Sequence, residues 1–201
     1  MKVGLILECQ SGAPEEQVLR HLIERLKPDA DVSVQAMGNK PTLVTDCGET
    51  AGALFEIENC DKVFVIWDLW PAWEQSDPCM KEDRDAIADS LTASDVAREK
   101  THLICIIQEL EAWLIADGGA VTRAINDLRR NHPEIPRIAD ENSPEQVQRP
   151  KQRLMRLFRT EGKVRSYNDW LDAIRIARNF PNFHKLERAP AFVRFQNYLN
   201  E

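Results

Sequence analysis

The sequence predicts an α/β fold: a parallel sheet of about four strands flanked by helices, with a helical C-terminal extension. Three observations predict it. The runs Leu103-Ile104-Cys105-Ile106-Ile107 and Val63-Phe64-Val65-Ile66-Trp67 are apolar at every position, as strands buried on both faces of a parallel sheet are. Strand-like and helix-like periods alternate as far as residue 117, which calls for right-handed crossovers between parallel strands. Beyond that point no strand pattern returns. The chain therefore reads as an α/β domain over about residues 1–130 and a basic helical extension packed on it over 131–201.

Residues 2–8 form the first strand, apolar through Val3, Leu5, Ile6 and Leu7 and ending on Glu8. After a turn at 9–13, Pro14-Glu15-Glu16 opens a helix, with its proline early and acids in the first turn. Val18, Leu19, Leu22, Ile23 and Leu26 make its buried stripe, and Pro28 stops it. A shorter second strand covers 31–37 and a loop 38–41. The next helix lies within 44–59 and carries small residues at Gly48, Ala51, Gly52 and Ala53. The third strand, 62–68, ends on Asp68. The segment 69–80, with Trp70, Pro71, Trp73 and Pro78, reads as an irregular loop. Exposed tryptophans there would suit a protein interface, or the loop could pack as a lid over the sheet edge. A helix over 81–100 leads to the fourth strand.

That strand passes through Gln108-Glu109-Leu110-Glu111 into a helix whose stripe is Leu110, Trp113 and Leu114. Asp117-Gly118-Gly119 breaks it and caps another helix over 120–131. A proline-bearing linker, 132–143, precedes helices over 144–160, 167–179 and 190–199. Phe158, Trp170, Phe180, Phe183, Phe192, Phe195 and Tyr198 sit at spacings expected of small helices burying one face. None of them reads as a base-stacking platform.

With 43% hydrophobic and 29% charged residues among 201, the chain has the makings of a soluble globular protein with a real core. Its apolar runs are too short to span a bilayer, and no cleavable signal precedes the first strand pattern. The expectation is a cytoplasmic protein without membrane contact. Cys9, Cys47, Cys60, Cys79 and Cys105 are odd in number and form no C-x-x-C, so a reduced compartment explains them better than disulfides or zinc. His21, His102, His132 and His184 lack metal-ligand spacing.

Charge is divided unevenly along the chain. From Arg149 onward there are 12 basic and 5 acidic residues, against 14 and 28 before it. A polarised molecule of this kind can take a polyanion on one side and a cation on the other; the alternative is that the basic helices only neutralise the acidic body or form a solvated face. If the protein handles nucleic acid, Arg149, Lys151, Arg153, Arg156 and Arg159 are the candidate contacts. At about 100° per residue, Arg149, Arg153 and Arg156 share one helical face and Arg159 extends it. Such a row follows a phosphate backbone, of DNA or RNA, without reading bases.

Three of the four strands end in carboxylates: Glu8, Asp68, and Glu109 with Glu111. In a parallel sheet these ends share one edge, where open α/β sheets hold ligands. Taken singly, each could be a turn acid or a helix-dipole partner. Together they repel one another unless a cation is present. Hard oxygen ligands suit Mg2+ or Mn2+, which bind substrate phosphate and activate water. Glu8, Asp68, Glu109 and Glu111 are thus the candidate catalytic and metal-ligating residues.

A first-strand Glu, a helix and an Asp ending a central strand resemble the TOPRIM domain of topoisomerases, primases and OLD-type nucleases. More closely, Gln108-Glu109-Leu110-Glu111-Ala112-Trp113-Leu114-Ile115-Ala116-Asp117 is similar to the E-x-E-A-W-L-x-A-D signature of a TOPRIM-like bacterial family, domain of unknown function 4276. Arg149-Pro150-Lys151, Ser166-Tyr167-Asn168 and Ala191-Phe192-Val193-Arg194-Phe195 are similar as well. The resemblance implies a metal-dependent phosphodiesterase or nuclease fold, found beside an ATPase of the ABC/SMC type in phage defence. It implies Glu8 as general acid or base and Asp68 as the first carboxylate of a D-x-D that binds Mg2+.

Two departures stand out. The D-x-D reads Asp68-Leu69-Trp70, and Cys9 replaces the glycine usual after the first Glu. Glu109 or Glu111 could supply the missing ligand, or the site could be degenerate. The competing reading is accordingly a non-catalytic partner-binding module on the same fold. A receiver-like phosphoacceptor lacks its acidic pair, because no acid follows Glu8 until Glu15. A dinucleotide fold lacks G-x-G-x-x-G at Cys9-Gln10-Ser11-Gly12.

Overall fold

The computed structural model describes residues 1–71, 78–129 and 132–201. Four strands, β1 (Lys2–Leu7), β2 (Asp31–Ala36), β3 (Lys62–Asp68) and β4 (Thr101–Ile106), form one parallel sheet in the order β2-β1-β3-β4. The two most apolar strands that end in acids, β1 and β3, are neighbours in its centre. Their register pairs Leu7 with Ile66, so the residues that follow, Glu8 and Asp68, emerge at the same carboxyl edge.

The chain divides into two compact units: Met1–Ile106 with Phe195–Glu201, and Ile107–Arg194. The first division falls earlier than the position near residue 130 that the sequence suggests, because the helices just after β4 share their contacts with later ones.

In the first unit the crossovers are α1 (Pro14–Leu26), α2 (Lys40–Glu56) and α3 (Met80–Ala93). The stripe of α1 is buried as expected, through Val18, Leu19, Leu22 and Ile23. Helix α2 begins earlier than its apolar pattern does. The Asn39 side chain accepts a hydrogen bond from the Thr42 backbone N–H at 2.9 Å, and Pro41 sits in the first turn, so the expected loop at 38–41 is instead a helix start. Helix α3 is shorter than expected, ending before a turn and a 3-10 segment at Arg98–Lys100. Leu43, Cys47, Ala51, Ile87 and Leu91 cover one face of the sheet, against Ile6, Val63, Val65, Trp67 and Cys105. The small residues of α2 permit this crossing: a Cβ on Gly48 would stand 2.1 Å from the Ser90 carbonyl oxygen. On another part of this unit Phe195 packs edge-on to Phe64, and Tyr198 stacks on His102 at 4.4 Å, so His102 is structural.

The second unit is helical: α4 (Glu111–Ile115), α5 (Gly118–Leu128), α6 (Pro150–Arg156), α7 (Asp169–Arg178) and the start of α8 (Pro190–Asn200). Asp117 caps α5 by accepting from the Gly119 and Ala120 backbone N–H groups. The expected helix over 144–160 is three pieces: a 3-10 turn at Pro144–Gln146, α6, and a π-helical continuation at Leu157–Glu161. Arg149 explains the break, since its backbone is left-handed at φ 52° just before Pro150 and cannot continue a helix. Asp172, wholly buried, is held by Arg165, Arg175 and the Asn168 backbone N–H. Glu145, also buried, accepts from Trp113 Nε1 at 3.1 Å and from the Ala191 backbone N–H at 3.1 Å.

Among the described residues no helix is long and apolar enough to cross a membrane, and all five cysteines are free thiols.

Candidate functional site

The carboxyl edge of the central strands carries one concentrated group of charges. Glu8 follows β1 and is partly buried, with its Oε2 fully enclosed and without a hydrogen-bond partner among the described residues. Burial pushes its carboxyl up to about 7. The Asp68 backbone N–H and the Lys40 ammonium oppose that rise, while Glu15 and Asp83 add to it. Asp68 itself ends β3 and is partly exposed.

Two charges there carried no sequence motif. Lys40, 3% exposed, and Asp83, 5% exposed, meet at 2.7 Å. The angle is too poor for a directed hydrogen bond from Lys40 Nζ. Asp83 also accepts from Trp67 Nε1 at 3.2 Å. A trace of Lys40 was present in the sequence: a lysine in a helix's first turn opposes the dipole, and such a position asks for a compensating acid. Asp83 gave none, since acids are expected in a first turn.

Glu109 and Glu111 lie in the second unit, and each has partners there. Buried Glu111 accepts from the Tyr167 hydroxyl at 3.2 Å, and Glu109 Oε2 accepts from the Lys151 backbone N–H at 3.2 Å. The Lys151 ammonium is bonded to Asp169. Burial works against its charge, but the Asp169 hydrogen bond and the fields of Glu111, Asp169 and Glu109 outweigh that and hold it above the usual lysine range. Burial, with Glu111 close by, pushes the Tyr167 phenol far up, so it stays a hydrogen-bond donor. The structure thus joins Glu109 and Glu111 of the central motif to Lys151, Tyr167 and Asp169.

Lys151 is thus engaged by Asp169, and Arg153, half-buried, is paired with Glu141 at 2.6 Å. Arg149, Arg153 and Arg156 line one cleft together, although Arg149 stands just outside the helix, in the left-handed region. Arg149, Arg156 and Arg159 remain exposed. The aromatic reading needs one correction as well. Phe158, Phe180, Phe183, Phe192 and Phe195 are buried, but Trp170 is 51% exposed at the start of α7. Of the two loop tryptophans, Trp70 is 38% exposed, and Trp73 lies outside the described residues.

The model of the domain of unknown function DUF4276 matches residues 13–200. The chain belongs to this family. In this DUF4276 domain the match takes in Lys40, Asp68, Asp83 and the Glu109–Lys151 cluster, while Glu8 precedes it. No curated protein matches the sequence.

As a test of the expected cation, a carboxylate oxygen enclosed without a donor suits a hard divalent ion, and Asp68 stands on the adjoining strand end. Among the described residues, no three His, Cys, Asp or Glu side chains form a ready metal-binding group. Mg2+ keeps several waters and is commonly held by one or two carboxylates, so the pair fits such a site. Asp83 is excluded from it by Lys40 and Trp67.

Proposed function

We propose that this DUF4276 domain is a TOPRIM-type, metal-dependent phosphodiesterase acting on DNA or RNA, working beside an ATPase of the ABC/SMC type in phage defence. The observation that carries the reading is the adjacency of Glu8 and Asp68 at the carboxyl ends of the two central parallel strands, with Glu8 Oε2 enclosed and unpartnered among the described residues. Asp68 and Glu8 would hold Mg2+ or Mn2+. When bound, such a cation neutralises phosphate charge and lowers the pKa of a bound water. Without the cation, enclosure raises the Glu8 carboxyl to about 7, so binding of the cation would displace a proton from it near neutrality. Asp68 adds charge at the rim, where solvent and a phosphate can reach it. Lys40 and Asp83 support Glu8 from beneath, as a neutral pair that adds no net charge.

The experiment is calorimetric titration with Mn2+, together with cleavage of a labelled oligonucleotide. Binding at millimolar metal and Mn2+-dependent cleavage are expected, both lost in Asp68→Asn, which removes the charge and keeps the shape. No heat with the wild-type protein, or unchanged binding by Asp68→Asn, would refute the reading.

A second reading is a catalytically degenerate partner-binding module. It is favoured by Trp70, which stands where D-x-D has its second acid, and by the engagement of Glu109 and Glu111 with Lys151 and Tyr167. Metal binding without cleavage of any nucleic acid would select it.

A further inference from the structure

The helical unit, Ile107–Arg194, carries 16 basic and 12 acidic residues, while the rest of the chain carries 10 and 21. Three of its exposed cations, Arg149, Arg156 and Arg159, follow α6 and its π-helical continuation. Arg149, Gln152, Arg156 and Arg159 are all exposed. They line two adjoining clefts of about 470 and 520 Å3 that share Gln152 and Arg156. Among the described residues no carboxylate lines either cleft. The neighbouring cations, Lys151 and Arg153, are occupied by Asp169 and Glu141, which leaves the guanidinium groups of the outer row to face solvent.

The start of α7 carries exposed apolar surface. Trp170 and Leu171 open α7 and are 51% and 55% exposed, while Ala173, Ile176 and Ala177 face the core. Trp170 follows Asp169, whose carboxylate is bonded to Lys151 in the first turn of α6. That bond holds the start of α7, and Trp170 with it, within a lysine side chain's length of the first turn of α6. Covering a half-exposed indole removes apolar surface from water and is favourable. The occupant must carry regularly spaced negative charge for the row and an exposed π-face for the ring. A duplex offers the first and hides the second; an unpaired strand offers both.

We infer that Arg149, Arg156, Arg159 and Trp170 form a docking surface for single-stranded nucleic acid, with phosphates along the guanidinium row and a base stacked on the indole. This rests on the reading of the protein as one that acts on nucleic acid, and names the form of that substrate.

The test is fluorescence anisotropy of the full-length protein with a labelled oligothymidine of about 12 nucleotides, within the reach of one such groove, and with a duplex of the same length. EDTA is present, so that binding is read apart from any metal chemistry. The single strand should bind at least tenfold tighter than the duplex. Trp170→Ala should weaken single-strand binding by roughly 5- to 100-fold, the range expected for one stacked base, and leave duplex binding unchanged. Trp170→Phe, which keeps an aromatic face, should retain most of the affinity, and Trp170→Leu, which keeps only apolar bulk, should lose it as Trp170→Ala does. Arg156→Ala with Arg159→Ala should lower the log–log salt slope by roughly 1.4, two phosphate contacts' worth. Equal affinity for duplex and single strand, or indifference to Trp170→Ala, overturns the inference. So does absence of binding to either form at low salt, which would assign this face to a protein partner. Mn2+ binding at Asp68 is read independently. Single-strand binding by a protein that takes no Mn2+ would sink the phosphodiesterase and leave this surface standing; Mn2+-dependent cleavage of duplex alone would do the reverse.

Discussion

Lys40 Nζ and Asp83 Oδ2 lie 2.7 Å apart beneath the carboxyl edge of the sheet, with both side chains almost wholly withdrawn from water. The pair joins the first turn of α2 to the first turn of α3. Removing one partner leaves a buried charge uncompensated, while removing both does not. Lys40→Met should therefore cost about 3–5 kcal/mol of stability, and Lys40→Met with Asp83→Leu should recover a large part of it. Urea unfolding midpoints of the single and double variants measure this. Equal destabilisation by both would mean that the pair contributes net stability beyond mutual compensation.

Glu8 has a pH signature of defined sign. Its carboxyl rises from the ordinary value of 4.5 to about 7 on folding, chiefly through burial. The folded state then binds the proton more tightly than the unfolded chain. This group's contribution to stability is full below pH 4.5 and is lost as pH rises through about 7. Glu8→Gln, neutral throughout, should exceed the wild type in stability at pH 8 by roughly 1–3 kcal/mol and match it near pH 4. Thermal melts at the two pH values provide the comparison. Added Mn2+ should narrow the gap at pH 8, and a wild type more stable than Glu8→Gln without metal would count against the assignment.

Gly48 sits where α2 and α3 cross most closely, with its backbone N–H donating to Ser90 Oγ at 3.0 Å. An alanine Cβ would stand 2.1 Å from the Ser90 carbonyl oxygen, a backbone atom that only a shift of the whole helix can move. Gly48→Ala should destabilise by about 1–3 kcal/mol, despite alanine's better helix propensity. Gly52, whose Cβ would meet open space, is the contrasting site, and Gly52→Ala should stabilise. The reverse ranking in chemical denaturation would contradict the packing described.

Lys151 separates a structural role from nucleic-acid contact. Its ammonium is hydrogen-bonded to Asp169 and lies in the fields of Glu111 and Glu109. Lys151→Met should lower stability by about 1–3 kcal/mol and leave the salt dependence of oligonucleotide binding as it is. A slope reduced as much as by Arg156→Ala would place Lys151 on the binding face instead.

The sequence alone determined the strands, their parallel arrangement and the positions of Glu8 and Asp68 at strand ends. Unbroken apolar runs at Val63–Trp67 and Leu103–Ile107 have few other uses, and strand periodicity is a local property. The family signature around Glu109 and Glu111 was legible for the same reason: it is contiguous. Tertiary structure decided which charges compensate which. Lys40 finds Asp83, Lys151 finds Asp169, and Arg153 finds Glu141, and no local pattern announces these partners, because a long side chain can serve solvent, a phosphate or a distant acid equally well. Trp170 shows the same limit for apolar groups. Its spacing belongs to a helix that buries one face, but one residue's rotation about that helix decides whether the indole enters the core or faces water, and the packing of Ala173, Ile176 and Ala177 turned it outward.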